Sequence, residues 1–204
     1  MAESNKSRVF EQTYQHYLTE LSKIDYLARA PLLGLERVDD KLIIPLYDQL
    51  YHLSPAAVSS PATAQVSPAV RVILCRYVLS CPTILPAISK RYMTYREFRD
   101  AGPLVSYFTS NTNKTIESHF SRKPELLQQR CTDLGGVAEK NETYDFSFTF
   151  HALPRIPVIL NFNDADDMFD ASCSILYHES AQYFLDMECL AMTGTLLAGK
   201  LLAQ

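Results

Sequence analysis

From Tyr144 onward the chain alternates large aromatic and polar side chains, then closes in a long apolar segment, and few folds accept that succession. Tyr144, Phe146, Phe148 and Phe150 alternate with Asp145, Ser147, Thr149 and His151. This is the period of two of a half-buried strand near 144–151. A second strand follows near 156–162 and a third near 172–177, separated by the acidic turn Asn163-Asp164-Ala165-Asp166-Asp167. A helix is predicted over most of the remainder. Burying an aromatic side chain contributes about 1.5–3 kcal/mol. Four on one strand face therefore rival the whole net stability of a domain, about 5–15 kcal/mol. That face has to be covered.

The upstream residues supply the cover. Phe10, Tyr14, Tyr17, Leu21, Ile24 and Ala28 lay one apolar stripe along a helix predicted from Lys6 to Ala30, stopped by Pro31. Short apolar runs at 42–47 and 50–53 predict a hairpin, with Pro45 marking an edge position. Residues 54–67, rich in Ser, Ala and Pro, read as a surface connector. Ser67-Pro68 is a cap followed by a first-turn proline, opening a strongly apolar helix. Thr94-Tyr95-Arg96-Glu97 is a capping box for a short helix ending at Gly102-Pro103. Residues 105–120 form a weaker helix with Phe108, Thr112, Ile116 and Phe120 on one side. Lys123-Pro124 opens another, closed by Gly135-Gly136, and 137–143 is turn-like. Helices and strands come in blocks rather than alternating. The expected fold is a single α+β domain over 1–204, its mostly antiparallel sheet packed against several helices.

Composition narrows the function. A net charge of −4 opposes general nucleic-acid binding and attachment to an anionic membrane surface. No signal pattern opens the chain and no apolar run reaches a membrane span, so the expected location is cytoplasmic. The five cysteines, Cys75, Cys81, Cys131, Cys173 and Cys189, are odd in number and never spaced C-x-x-C. They read as buried thiols rather than disulfides or a metal cradle. With six glycines and one adjacent pair, the chain offers no P-loop or dinucleotide fingerprint. No serine sits in a nucleophile elbow.

One charge is out of place. At about 3.6 residues per turn, Gln182, Asp186, Thr193 and Lys200 share a stripe expected to face water. Glu188 lies opposite, among Ala181, Phe184, Ala191, Thr195 and Gly199. A carboxylate on that apolar face needs a partner or a proton, because burying an unpaired charge costs several kcal/mol.

The segment Leu153-Pro154-Arg155-Ile156-Pro157-Val158, the turn through Asp164, Asp166, Asp167, Met168 and Phe169, and Ser174-Ile175-Leu176-Tyr177 running into Glu188-Cys189-Leu190-Ala191 together resemble domain-of-unknown-function family 3786. Weaker echoes reach up to Thr94–Phe98 and Leu134–Gly136. The resemblance implies a protein of anaerobes, in company with redox or corrinoid one-carbon chemistry. Some relatives carry a four-cysteine iron–sulfur module that this sequence lacks. It also implies an acidic residue near position 178, where His178 stands here.

Two constellations carry candidate chemistry. Asp164, Asp166 and Asp167 offer the oxygens that hard cations prefer, although Asp is also simply a good turn residue. His151, Arg155 and Glu188 would converge on an anionic ligand if the strand's end borders a cleft. The plainer arrangement has Arg155 neutralising Glu188 and His151 capping a carbonyl. The expected function is a non-catalytic ligand-binding or accessory module, with a small anionic ligand or a redox or corrinoid protein as partner. The alternatives are a metal-assisted hydrolase built on the acidic turn and a structural subunit of a larger assembly.

Overall fold

The computed structural model describes residues 2–87 and 89–203, with side chains from residue 8 onward. Two antiparallel sheets carry the fold, rather than the one sheet expected. The smaller has the order β1 (Glu36–Val38), β2 (Lys41–Leu46), β3 (Gln49–Leu53), β4 (Val58–Ser59). The larger has the order β5 (Tyr92–Thr94), β9 (Ser172–His178), β8 (Ile156–Asn163), β7 (Phe146–Leu153), β6 (Val137–Ala138). Its central three strands are those predicted. Both edge strands fall in segments read as turn or cap, because two or three residues carry no periodicity. Phe148 and Phe150 are buried, as the alternation requires, while Phe146 is partly open.

The hairpin forms as expected, pairing Leu42 with Leu53 and Pro45 with Leu50. β1 covers only residues 41–43 of β2. Pro45 therefore occupies a local edge within an inner strand, where its missing N–H costs no ladder bond. The hairpin's turn meets the larger sheet at the register shift between His151 and Leu153, where the Tyr47 amide donates to the Ala152 carbonyl at 3.0 Å.

The helices pack around these sheets. The first, α1 (Ala2–Leu21), ends earlier than predicted. Pro31 does not stop it but sits in the first turn of α2 (Ala30–Leu33), which Gly34 closes at φ 70. The apolar α3 (Pro68–Leu79) opens as read, with Ser67 Oγ accepting from the Val70 amide. The capping box at Thr94 is present but opens only a 3-10 turn, Tyr95–Glu97. A second such turn, Gly102–Leu104, leads into α4 (Val105–Phe108), a π turn (Thr109–Asn113) and α5 (Lys114–Phe120). Phe108, Thr112, Ile116 and Phe120 are all buried. A strict four-residue spacing drifts off a helix of about 3.6 residues per turn, and the wider π turn takes up the drift. Next comes α6 (Pro124–Asp133), closed by Gly135 at φ 79.

The long closing helix forms as expected, but it starts later than read, behind a break. A 3-10 turn, Glu179–Tyr183, precedes α7 (Met187–Leu202), and Asp186 caps it by accepting from the Cys189 amide at 2.8 Å. The stripe through Asp186, Thr193 and Lys200 does not face water at its middle, because Tyr47 and Tyr177 pack against it there. Thr193, placed on the solvent stripe by a continuous helix, is fully buried, and its hydroxyl donates to the Leu190 carbonyl at 2.7 Å. Among the described residues no helix is long and apolar enough to cross a membrane.

Candidate functional site

The structure does not assemble His151, Arg155 and Glu188 into one site. Arg155, in the β7–β8 turn, donates from Nε to the Leu32 carbonyl at 2.9 Å and from Nη2 to the Pro31 carbonyl at 3.3 Å. The next carbonyl, Leu33, accepts from Tyr77 Oη at 2.8 Å, and that hydroxyl in turn accepts from the Arg155 amide at 3.1 Å. The last carbonyls of a helix have no partner within it. In α2 Arg155 supplies the Leu32 carbonyl and Tyr77 the Leu33 carbonyl, while the Pro31 carbonyl also accepts from the Gly34 amide at 3.3 Å. Arg155 is thus a helix cap in this structure, not the partner of Glu188.

His151 is exposed and borders a hollow of about 250 Å³ with Asp48, Asp133 and the Gly135 turn. His178, where a carboxylate was expected, caps the 3-10 turn that follows it. Its Nδ1 accepts from the Ser180 amide at 3.3 Å, and its Nε2 lies 2.8 Å from the Ser89 carbonyl. Because a carbonyl only accepts, Nε2 carries the proton. An acidic side chain would provide the same acceptor to the turn.

Two of the acidic turn's three candidate carboxylates, Asp164 and Asp166, are occupied by backbone, and Asp167 is exposed. Asp164 Oδ1 accepts from the Arg122 and Ala165 amides, and Asp166 Oδ1 from the Met168 and Phe169 amides, all at 2.7–2.8 Å. Among the described residues no three His, Cys, Asp or Glu side chains stand as a metal cluster. The hydrogen bonds from the Met168 and Phe169 amides hold the Asp166 carboxyl below its usual range. For such a group the contribution to stability is full above the unfolded value and lost as pH falls through the lowered folded value. Acidification should therefore loosen this turn late. Protection of the Met168 and Phe169 amides, taken against the intrinsic exchange rate at each pH, should persist until pH drops below the ordinary aspartate range, and Asp166→Ala should remove it at every pH.

All five cysteines are free. Burial pushes the Cys75 and Cys131 thiols up to about 12 and raises Cys81, Cys173 and Cys189 as well, the opposite of what a thiolate nucleophile needs.

Glu188 corrects the sequence reading most sharply. It is exposed, not buried, and it stands in the first turn of α7, where a carboxylate is favoured by the helix dipole. Three of the five neighbours the periodicity gave remain, while Ala181 and Phe184 lie ahead of α7 and are buried elsewhere. Glu188, Ala191, Thr195 and Gly199 line one side of a hollow of about 390 Å³, together with Met192 and Leu196. Phe10 on α1 and Ala69, Val70 and Ile73 on α3 form a second wall, and Leu104 and Tyr107 a third. The face is small and apolar because it borders a hollow rather than packed side chains.

The walls present almost no free polarity. The Thr195 hydroxyl is turned back onto the Ala191 carbonyl at 3.3 Å. Both arginines of the facing helix are engaged elsewhere, Arg76 Nε with Asp186 at 2.9 Å and Arg71 with Glu11 at 3.1 Å. Glu188 is the hollow's one charged lining residue and has no ion-pair partner among the described residues. Phe10 and Ile73 were legible as apolar stripes. Leu104 and Tyr107 were not, since a 3-10 turn and a single helical turn leave no period to read.

A family model described as Domain of unknown function (DUF3786) matches residues 25–200. No curated protein and no solved structure matches the chain.

Proposed function

The chain belongs to the DUF3786 family, and from that premise we propose that it is a non-catalytic binding module holding an elongated apolar molecule along α7. The observation that carries this reading is the hollow itself. Its volume of about 390 Å³ falls within the range of small-molecule sites, about 300–1,000 Å³. From Glu188 to Gly199 it follows eleven residues of α7, a length of about 16 Å at 1.5 Å per residue. Apolar walls bind by removing ligand surface from water. The raised thiols and the backbone-bonded aspartates favour binding over catalysis. A single carboxylate among the linings also disfavours the anionic ligand expected from sequence.

The test is thermal unfolding of the full chain with 1-octanol, an uncharged apolar probe, against a variant in which the hollow is filled. Thr195→Phe places a ring in a half-buried lining position. A ligand present at a hundred times its dissociation constant stabilises by about 2.7 kcal/mol, or about 5–10 °C in a chain of this size. The wild-type midpoint should rise with 1-octanol and the Thr195→Phe midpoint should not. Equal rises in the two proteins would place the alcohol elsewhere and remove the reading.

A further inference from the structure

We infer that the ligand of this hollow carries a cationic amine at one end of its apolar body, seated at Glu188; the inference rests on the binding reading above. Along α7 the hollow is charged at one end only. Along α7 the linings after Glu188 are Ala191, Met192, Thr195, Leu196 and Gly199, so the carboxylate stands at the helix's amino-terminal end and apolar surface occupies the rest.

That carboxylate is unbalanced. Asp186, two residues before it, is neutralised by Arg76 at 2.9 Å, and Arg71 is held by Glu11 at 3.1 Å while its guanidinium lies over the Tyr14 ring at 4.6 Å. Thus the nearby arginines of α3 already have partners, and Glu188 is left without one among the described residues. Tyr107, which is 37% exposed, lines the same hollow. A carboxylate together with an aromatic face is the combination that recognises ammonium groups, through charge and the ring quadrupole. An anion there would meet like charge. A neutral head would leave the carboxylate partly desolvated and unpaired. Only a cation improves on water at that position.

The experiment compares three eight-carbon probes that differ in the head group: octylamine, protonated at neutral pH, 1-octanol and octanoate. Binding to the full chain is followed by titration calorimetry at low salt. Exposed ion pairs contribute modestly, so octylamine should bind about five-fold more tightly than 1-octanol, and octanoate more weakly than either. The preference should shrink at high salt as the charges are screened. In Glu188→Gln, octylamine should fall to the level of 1-octanol while the unfolding midpoint without ligand stays near wild type. Equal affinities for octylamine and 1-octanol in the wild type, or a preference that survives Glu188→Gln, would overturn the amine and leave the hollow standing. Binding of none of the three would overturn the hollow and the amine together.

Discussion

Replacing Gly194 with alanine is expected to destabilise the protein by about 1–3 kcal/mol, lowering its unfolding midpoint by about 2–4 °C for each kcal/mol. A Cβ at this position would overlap the Phe108 ring, with Cζ 3.0 Å away, and would lie 2.9 Å from Tyr177 Oη. Neither neighbour is free to retreat. Phe108 is stacked on Tyr95 with ring centroids 4.5 Å apart. Tyr177 is buried, and its hydroxyl donates to the Leu190 carbonyl at 3.2 Å. Alanine is the better helix former by about 1 kcal/mol, so propensity pulls the other way. Overlap wins because the obstructing atoms belong to rings locked on both sides. Gly199 on the same helix is the internal control. A Cβ there meets nothing within 4 Å, so Gly199→Ala should raise the midpoint slightly. Opposite signs on one helix would separate packing from propensity. A Gly194→Ala protein as stable as wild type would mean that the aromatic cluster is looser than described.

Arg155→Met should cost about 2–3 kcal/mol, since hydrogen bonds from a charged donor contribute about 1.5–3 kcal/mol each and one of the two here is long at 3.3 Å. Methionine keeps most of the side chain's apolar packing but leaves the Leu32 carbonyl unpaired and the Pro31 carbonyl with the Gly34 amide alone. Arg155→Lys should recover only part of the loss, because an ammonium cannot reproduce the planar fork onto two oxygens. The damage should be local to α2, where Gly34 packs so closely that a Cβ on it would lie 3.3 Å from Pro154 Cβ. Thermal unfolding measures the first effect and hydrogen exchange locates the second. Affinity for 1-octanol should be unchanged in folded protein. Weakened binding with an unchanged midpoint would instead return Arg155 to a ligand site.

The strands and the site were legible to different degrees, for physical reasons. Alternating aromatics specify β7 by themselves, and bounded apolar runs specify β8 and β9, so all three could be read from residues. Ser67-Pro68 and Gly135-Gly136 likewise encode their caps locally. The edge strands Tyr92–Thr94 and Val137–Ala138 exist only because a neighbouring strand offers partners, and nothing within a few residues can announce that. The helix periodicity correctly grouped Glu188 with Ala191, Thr195 and Gly199, but not with Ala181 and Phe184, which precede the break. It could not say whether that face meets packed side chains or open space, because the answer depends on Phe10, Ile73 and Leu104, far away in sequence. Arg155 misled for a related reason. A charged residue beside a strand end looks the same whether it awaits a ligand or caps a helix 120 residues earlier, and only the carbonyls of Pro31 and Leu32 decide.

The central claim is that the apolar face bearing Glu188 is a ligand site. Its most direct test is a methyl-resolved NMR titration of the full chain with octylamine. The account predicts that shifts concentrate on Ile73, Leu104, Ala191, Met192 and Leu196, with little change at Leu153 or Val158 in the sheet. Shifts centred on the His151 hollow, or spread evenly over the surface, would contradict it.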